Sequence, residues 1–97
     1  MLRHIVLFSA KDPADIPAIR DGLSILRDIP HARLLEVAVN ERHDALSDEP
    51  DVVVYGEFDD AEALAAYKAH PLYLESIRRV RPLRDMRLAV DYTVPAG

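Results

Sequence analysis

The chain has 97 residues, no cysteine and a formal net charge of -5, with 49% hydrophobic and 30% charged residues. This bounds one small domain over residues 1–97 with the composition of a soluble globular protein rather than a disordered one. The missing cysteine excludes disulfides, thiolate nucleophiles and thiolate-held zinc, the acidic balance argues against a nucleic-acid partner, and no apolar run approaches the roughly 20 residues of a membrane helix.

The start of the chain has no signal-peptide pattern, so the cytoplasm is the expected location. Residues 3–10 read as a first strand, with Arg3-His4-Ile5-Val6-Leu7-Phe8 at its heart. Strand side chains alternate between faces. Ile5 and Leu7 therefore point one way, and Val6 and Phe8 the other, giving a strand that is apolar on both sides. Such a strand needs cover on both sides.

Asp12-Pro13 has the form of a helix cap followed by a first-turn proline. Ile16, Ile19, Leu23 and Leu26 follow at helical spacing, Gly22 weakens the middle, and Ile29-Pro30 ends the helix. A half-exposed second strand is expected over Leu34–Asn40. A polar, acidic and mobile loop should follow over Glu41–Pro50. A third strand, Asp51–Phe58, is again apolar on both faces. Asp59 or Asp60 caps a second helix with Ala63, Leu64 and Tyr67 on its apolar side, Asp59 and Glu62 forming a box-like pair. His70-Pro71 breaks that helix, and Pro71 opens a further segment carrying Leu72, Leu74, Ile77 and Val80. Pro82 closes it. A fourth strand, Arg87–Val94, is expected to turn Leu88, Val90, Tyr92 and Val94 inward and Arg87, Asp91 and Thr93 outward.

The order β-α-β-β-α-β predicts an α+β, ferredoxin-like fold with a four-stranded antiparallel sheet, strands one and three central. The helices suffice for one face of that sheet. The other face requires a second copy, predicting a two-fold homodimer.

Charge is segregated. Residues 41–62 are mostly acidic, with Arg42 their only Lys or Arg, whereas Arg78, Arg79, Arg81, Arg84 and Arg87 form a basic stretch. The simplest meaning is a solvated helix face. The sharper alternatives are a rim for an anionic ligand or a contact onto a partner's acidic loop.

No metal-ligand spacing, phosphate loop, dinucleotide fingerprint or nucleophile elbow is present, so no metal and no cofactor are expected. Of the four histidines, His31 and His43 lie near turns and read as surface residues. His4 lies on a central strand. Tyr67 and His70 are three apart on a helix and project to one side, and Tyr73 follows. If the helix side of the sheet carries His4, then His4, Tyr67, His70 and Tyr73 converge on one cavity as ligand-binding groups. His4, with Tyr67 or Tyr73, would then supply acid-base chemistry. The bland alternative is a hydrogen-bonded core histidine beside packing tyrosines.

Arg3-His4-Ile5-Val6-Leu7-Phe8, Ile29-Pro30, Glu57-Phe58-Asp59, the run Ala63-Leu64-Ala65-Ala66-Tyr67-Lys68-Ala69-His70-Pro71, Val80-Arg81-Pro82-Leu83 and Val90-Asp91-Tyr92 together resemble the stress-responsive A/B barrel (Dabb) family. The resemblance covers nearly the whole chain. It implies a homodimeric α+β barrel of two ferredoxin-like subunits, in a family many of whose stress-associated members have no assigned reaction. A similar plant cyclase closes a polyketide without a cofactor. It uses a strand-one histidine and helix tyrosines, to which His4 and Tyr67 correspond. That enzyme's later histidine falls at Tyr73 here, and its first-helix tyrosine has no counterpart, so the resemblance implies a similar pocket rather than that cyclisation. The leading expectation is a homodimer binding a small hydrophobic or aromatic molecule between sheet and helices. The alternatives are a cofactor-free lyase, cyclase or isomerase, a cofactor-free monooxygenase, and a purely structural stress protein.

Overall fold

The structure, a computed structural model, describes residues 1–95. The strands are β1 (Leu2–Ala10), β2 (Leu34–Val39), β3 (Val52–Phe58) and β4 (Arg84–Thr93); the helices are α1 (Ile16–Ser24), α2 (Ala61–Ala69) and α3 (Pro71–Val80). The strands form one antiparallel sheet in the order β2-β3-β1-β4, so the two strands apolar on both faces are central. This is the ferredoxin-like arrangement.

Side-chain caps mark where the helical stretches begin. The Asp12 carboxylate accepts from Ala14 N–H and starts a single 3-10 turn, Pro13–Asp15, which runs into α1. A second 3-10 stretch, Ile25–Asp28, ends it, and Ile29 before Pro30 is extended. Asp60, rather than Asp59, caps α2 by accepting from Ala63 N–H at 2.9 Å; Asp59 pairs with Arg33. Ile19, Leu23 and Leu26 from the first helical stretch, Leu64 and Tyr67 from α2, and Val80 from α3 cover one sheet face over Val6, Phe8, Val52, Val54 and Phe58. Of the apolar residues on α3, Leu74 is 63% exposed. The helix buries Ser76 and Val80, four residues apart, and Leu74 lies on the opposite side of the turn. The acidic loop 41–50 is tied at its base, where Arg42 reaches the Asp48 carbonyl and the Asp51 carboxylate.

The fourth strand corrects the sequence expectation. It starts three residues earlier, at Arg84, because an irregularity between Phe8 and Ala10 lets Ala10 pair with Arg84. Register then decides its faces. Leu7 lies opposite Leu88, Ile5 opposite Val90 and Arg3 opposite Tyr92. Leu88, Val90 and Tyr92 therefore lie on the face without helices, at 54%, 55% and 40% exposed, and not inward. Arg87, Ala89 and Asp91 take the helix side, opposite Phe8, Val6 and His4. On the bare face, register aligns Ala38, Val53, Leu7 and Leu88 in one cross-sheet row and Glu36, Tyr55, Ile5 and Val90 in the next.

Gly56 sits beside His4 in the row Leu35–Gly56–His4–Asp91. A Cβ there would lie 2.8 Å from Phe58 Cε1 and 3.1 Å from Leu35 Cδ1. The Phe58 ring is fully buried in the core. Gly56→Ala should therefore destabilise the fold by about 1–3 kcal/mol, read as a lower midpoint in urea unfolding with an unchanged slope; an unchanged midpoint would show that the ring can yield.

Candidate functional site

The site grows from the alternation of β1. His4, Val6 and Phe8 face the helices, and His4 is 1% exposed. An imidazole in that apolar layer needs a hydrogen-bond partner. Register supplies it from the adjoining edge strand, where Asp91 lies directly opposite and its Oδ1 is 2.5 Å from His4 Nδ1. Asp91 is itself 41% exposed on its side chain, so the carboxylate keeps much of its hydration. A carboxylate only accepts, so Nδ1 carries the proton, and in the neutral ring Nε2 is the basic nitrogen. Burial pushes the His4 pKa below its ordinary value; the Asp91 hydrogen bond opposes this, and the charges of Lys68 and Arg87 reinforce it.

The aromatic groups beside His4 come from the helix layer. Tyr67 of α2 and Phe58 of β3 each meet its ring edge-on at 6.3 Å between centroids, and Tyr67 stacks edge-on against Tyr73 of α3 at 5.3 Å. Burial raises the Tyr67 pKa, with a smaller contribution from Tyr73, so this phenol stays protonated across the physiological range. The Tyr73 hydroxyl accepts from Arg87 Nη2 at 3.4 Å, leaving its own proton free to donate.

These groups border open space. A cleft of about 390 Å³ lies between sheet and helices; Val6, Phe8, Leu23, Leu26, Val54 and Val80 give it apolar walls, and His4, Tyr67, Tyr73 and Ser76 bring polar groups to it. Lys68, Arg81, Arg84 and Arg87 also line it. Among the described residues no group of three or more His, Asp or Glu side chains is placed to hold a metal ion, and no helix is long and apolar enough to cross a membrane.

Three of the four residues singled out in the sequence, His4, Tyr67 and Tyr73, thus meet at one cleft. His70 does not line it. Its Nδ1 accepts from Leu72 N–H at 3.1 Å and caps α3, a local role set by Pro71, which forces the helix to restart there. His31 is exposed, 6.3 Å from His70 between ring centroids, and His43 is exposed beside Glu41. Asp91 is the site residue that sequence reasoning misses, because hydrophobicity alone sends Leu88, Val90 and Tyr92 inward and Asp91 outward. The available signal was the pairing itself: a buried histidine on a central strand calls for a partner, and Asp91 is an acidic residue midway along the neighbouring edge strand.

The pH dependence of stability follows from the direction of the His4 shift. Above about 6.5, the ordinary imidazole value, folded and unfolded chains both hold it neutral. Below that value the unfolded chain takes up a proton that the folded chain resists. Stability should fall as pH drops from about 6.5 to the folded pKa, by at most about 1.4 kcal/mol per pH unit from this group. In His4→Gln that share disappears, so the difference between the two proteins' urea-derived stabilities should narrow on acidification. Asp91→Asn should move the His4 titration, followed by NMR, further toward acid; a move the other way would show that Asp91 does not stabilise the imidazolium.

Residues 2–94 match the family of the Stress responsive A/B Barrel Domain. A stress-response A/B barrel domain-containing protein of Arabidopsis thaliana is 30% identical over 95 residues, which are 95% of this chain and 36% of that protein; the chain thus spans about a third of that relative's length. Among solved structures, a dimeric ferredoxin-like protein of unknown function from Thermobifida fusca superposes with a TM-score of 0.81 at 25% identity, covering 96% of this chain and 90% of its own. A Dabb family protein with a ferredoxin-like fold from Mesorhizobium loti gives 0.77 at 26% identity, covering 99% and 97%. With its strand order, its helix layer and a family match over nearly its whole length, this chain belongs to the stress-responsive A/B barrel (Dabb) family.

Proposed function

We propose that this protein binds a small apolar or aromatic molecule in the cleft between sheet and helices, in each subunit of a homodimer. The observation that carries the reading is that the space beside His4, Tyr67 and Tyr73 is open rather than packed: about 390 Å³ with apolar walls and a few polar groups. Small-molecule sites have this character and fall in this size range. A filled interior would have left only a structural role.

The second copy is supported by the bare sheet face. Ile5, Leu7, Val53, Tyr55, Leu88 and Val90 form a contiguous apolar surface there, larger in extent than scattered exposed side chains explain. The Thermobifida fusca relative is described as dimeric. Val90→Glu, on the exposed β4 side of that surface, should convert a two-copy species into a one-copy species in sedimentation velocity. A wild-type chain that sediments as one copy at tens of micromolar would defeat the homodimer.

One observation favours a reaction as well as binding. His4, held by Asp91 through Nδ1, offers a basic Nε2, while the Tyr67 phenol, kept protonated by burial, and the neighbouring Tyr73 hydroxyl offer donors to an oxyanion. That set suits removal of a proton from carbon next to a carbonyl: the C–H pair moves to the carbonyl oxygen as enolate and the proton to Nε2. The neutral ketone 2-tetralone is a suitable probe for both readings. Its binding should move the NMR signals of His4, Tyr67 and Tyr73, and in deuterated water the protein should accelerate exchange at its α-carbon. His4→Gln should abolish the acceleration and keep the binding. Binding without acceleration would leave a binding protein; no shift at any cleft residue would remove the binding reading.

A further inference from the structure

Chain-wide net charge is -5, yet four cationic side chains meet at one opening. Lys68 comes from the end of α2, Arg81 from just past α3, and Arg84 and Arg87 from β4. No carboxylate stands among the residues lining the cleft. Among the described residues none of the four forms an ion pair. Two carboxylates of α3 and β4 are engaged elsewhere. Glu75 holds both Arg78 and Arg79, at 2.6 and 2.7 Å, and Asp91 holds His4. The basic stretch of the sequence therefore divides in two. Arg78 and Arg79 share Glu75 and do not line the cleft, whereas Arg81, Arg84 and Arg87 join Lys68 there.

Bringing four like charges together without a counter-charge is unfavourable. Among the described residues the arginine heads make loose contacts: Arg87 Nη2 to the Tyr73 hydroxyl and Arg84 Nη1 to the Asp85 carbonyl, both 3.4 Å, and the Arg87 guanidinium over the Phe8 ring at 6.0 Å from its centroid. Both heads thus keep donors free, and guanidinium donors match a carboxylate in pairs. The walls deeper in the cleft are hydrocarbon and aromatic ring. We infer that the occupant of the cleft is an amphipathic carboxylate, a small aromatic or alicyclic body against the Val6, Phe8, Val54 and Val80 walls with its carboxylate clamped by Arg81, Arg84, Arg87 and Lys68. This rests on the proposal that the cleft binds a small molecule, and it names the class of that molecule.

A matched pair of probes tests it. Naphthalene-2-carboxylate and naphthalene-2-carboxamide share one apolar body and differ in charge. Titrated into the intact protein and followed at the His4 and Tyr73 signals, the carboxylate should bind at least about tenfold more tightly, the worth of one charge-assisted contact. Raising salt from about 50 to about 500 mM should erode that preference and leave the carboxamide affinity in place. In Arg81→Gln/Arg84→Gln the preference should fall to near unity with carboxamide affinity retained; Arg78→Gln/Arg79→Gln should keep it. Should the double variant at the cleft not fold, the salt dependence of the wild type decides alone. Equal affinity of the two probes at low salt, with both seated in the cleft, overturns the carboxylate assignment and spares the binding proposal. Failure of both probes to move any cleft signal overturns the two together.

Discussion

A sheet has two faces, and this chain carries helices for one. That imbalance governs the rest of the structure. In β1 the alternation of side chains sends His4, Val6 and Phe8 under the helices and leaves Ile5 and Leu7 on the bare side. The same alternation in β3 buries Val52, Val54 and Phe58 and leaves Val53 and Tyr55 opposite. Each central strand thus contributes to a finished core and to an unfinished surface. Helix cover is also incomplete over β4, the edge strand farthest from β2. There the helix layer stops short of Arg87, Ala89 and Asp91, which remain exposed. The cleft opens at that margin. The cleft and the uncovered face therefore share one origin, a sheet wider than the helices that pack on it.

The His4–Asp91 pair occupies this boundary in a physically economical way. Removing both partners of an ion pair from water is expensive. Here only the imidazole is removed, and it can be neutral; the carboxylate sits at the edge strand where solvent still reaches it. Gly56, next along the row, lets the Phe58 ring close over the sheet on the other side of His4. One side of the histidine is thereby sealed by aromatic packing and the other held by a hydrated acceptor. An imidazole so fixed cannot turn its Nδ1 elsewhere without losing its partner.

Much of this was legible in the sequence. Element order, the central position of strands one and three, the break at His70-Pro71 and the meeting of His4 with Tyr67 and Tyr73 follow from local patterns whose causes are local: alternation, caps and prolines. The faces of the fourth strand did not follow. Leu88, Val90 and Tyr92 alternate with Arg87, Ala89 and Asp91, and hydrophobicity alone sends the apolar set to the core. The structure does the reverse, because pairing with β1 places Asp91 opposite His4, and a one-residue change of register would exchange every side chain between faces. An apolar stripe shows that something must cover it, not whether the cover lies in the same subunit. The division of the arginines was hidden for a similar reason. Glu75 reaches Arg78 and Arg79 across one helical turn, which spacing can reveal. The gathering of Lys68 with Arg81, Arg84 and Arg87 depends on how α2, the end of α3 and β4 converge in space.

The chemistry available at the cleft traces to a single cause acting on two groups. Burial disfavours the charged form of any side chain. For an imidazole the charged form is the protonated one, so burial lowers the His4 pKa; for a phenol it is the deprotonated one, so burial raises that of Tyr67. Two rings 6.3 Å apart in the same environment are thus driven in opposite directions, one toward a free base and the other toward a retained proton. Arg87 acts on both, lowering each, and Asp91 alone pulls His4 back up. Groups whose proton affinities are separated in this manner are how one pocket offers an acceptor and a donor at the same pH. The arrangement needs the rings to stay out of water, which the aromatic contacts among His4, Phe58, Tyr67 and Tyr73 favour, and the cleft to stay open beside them.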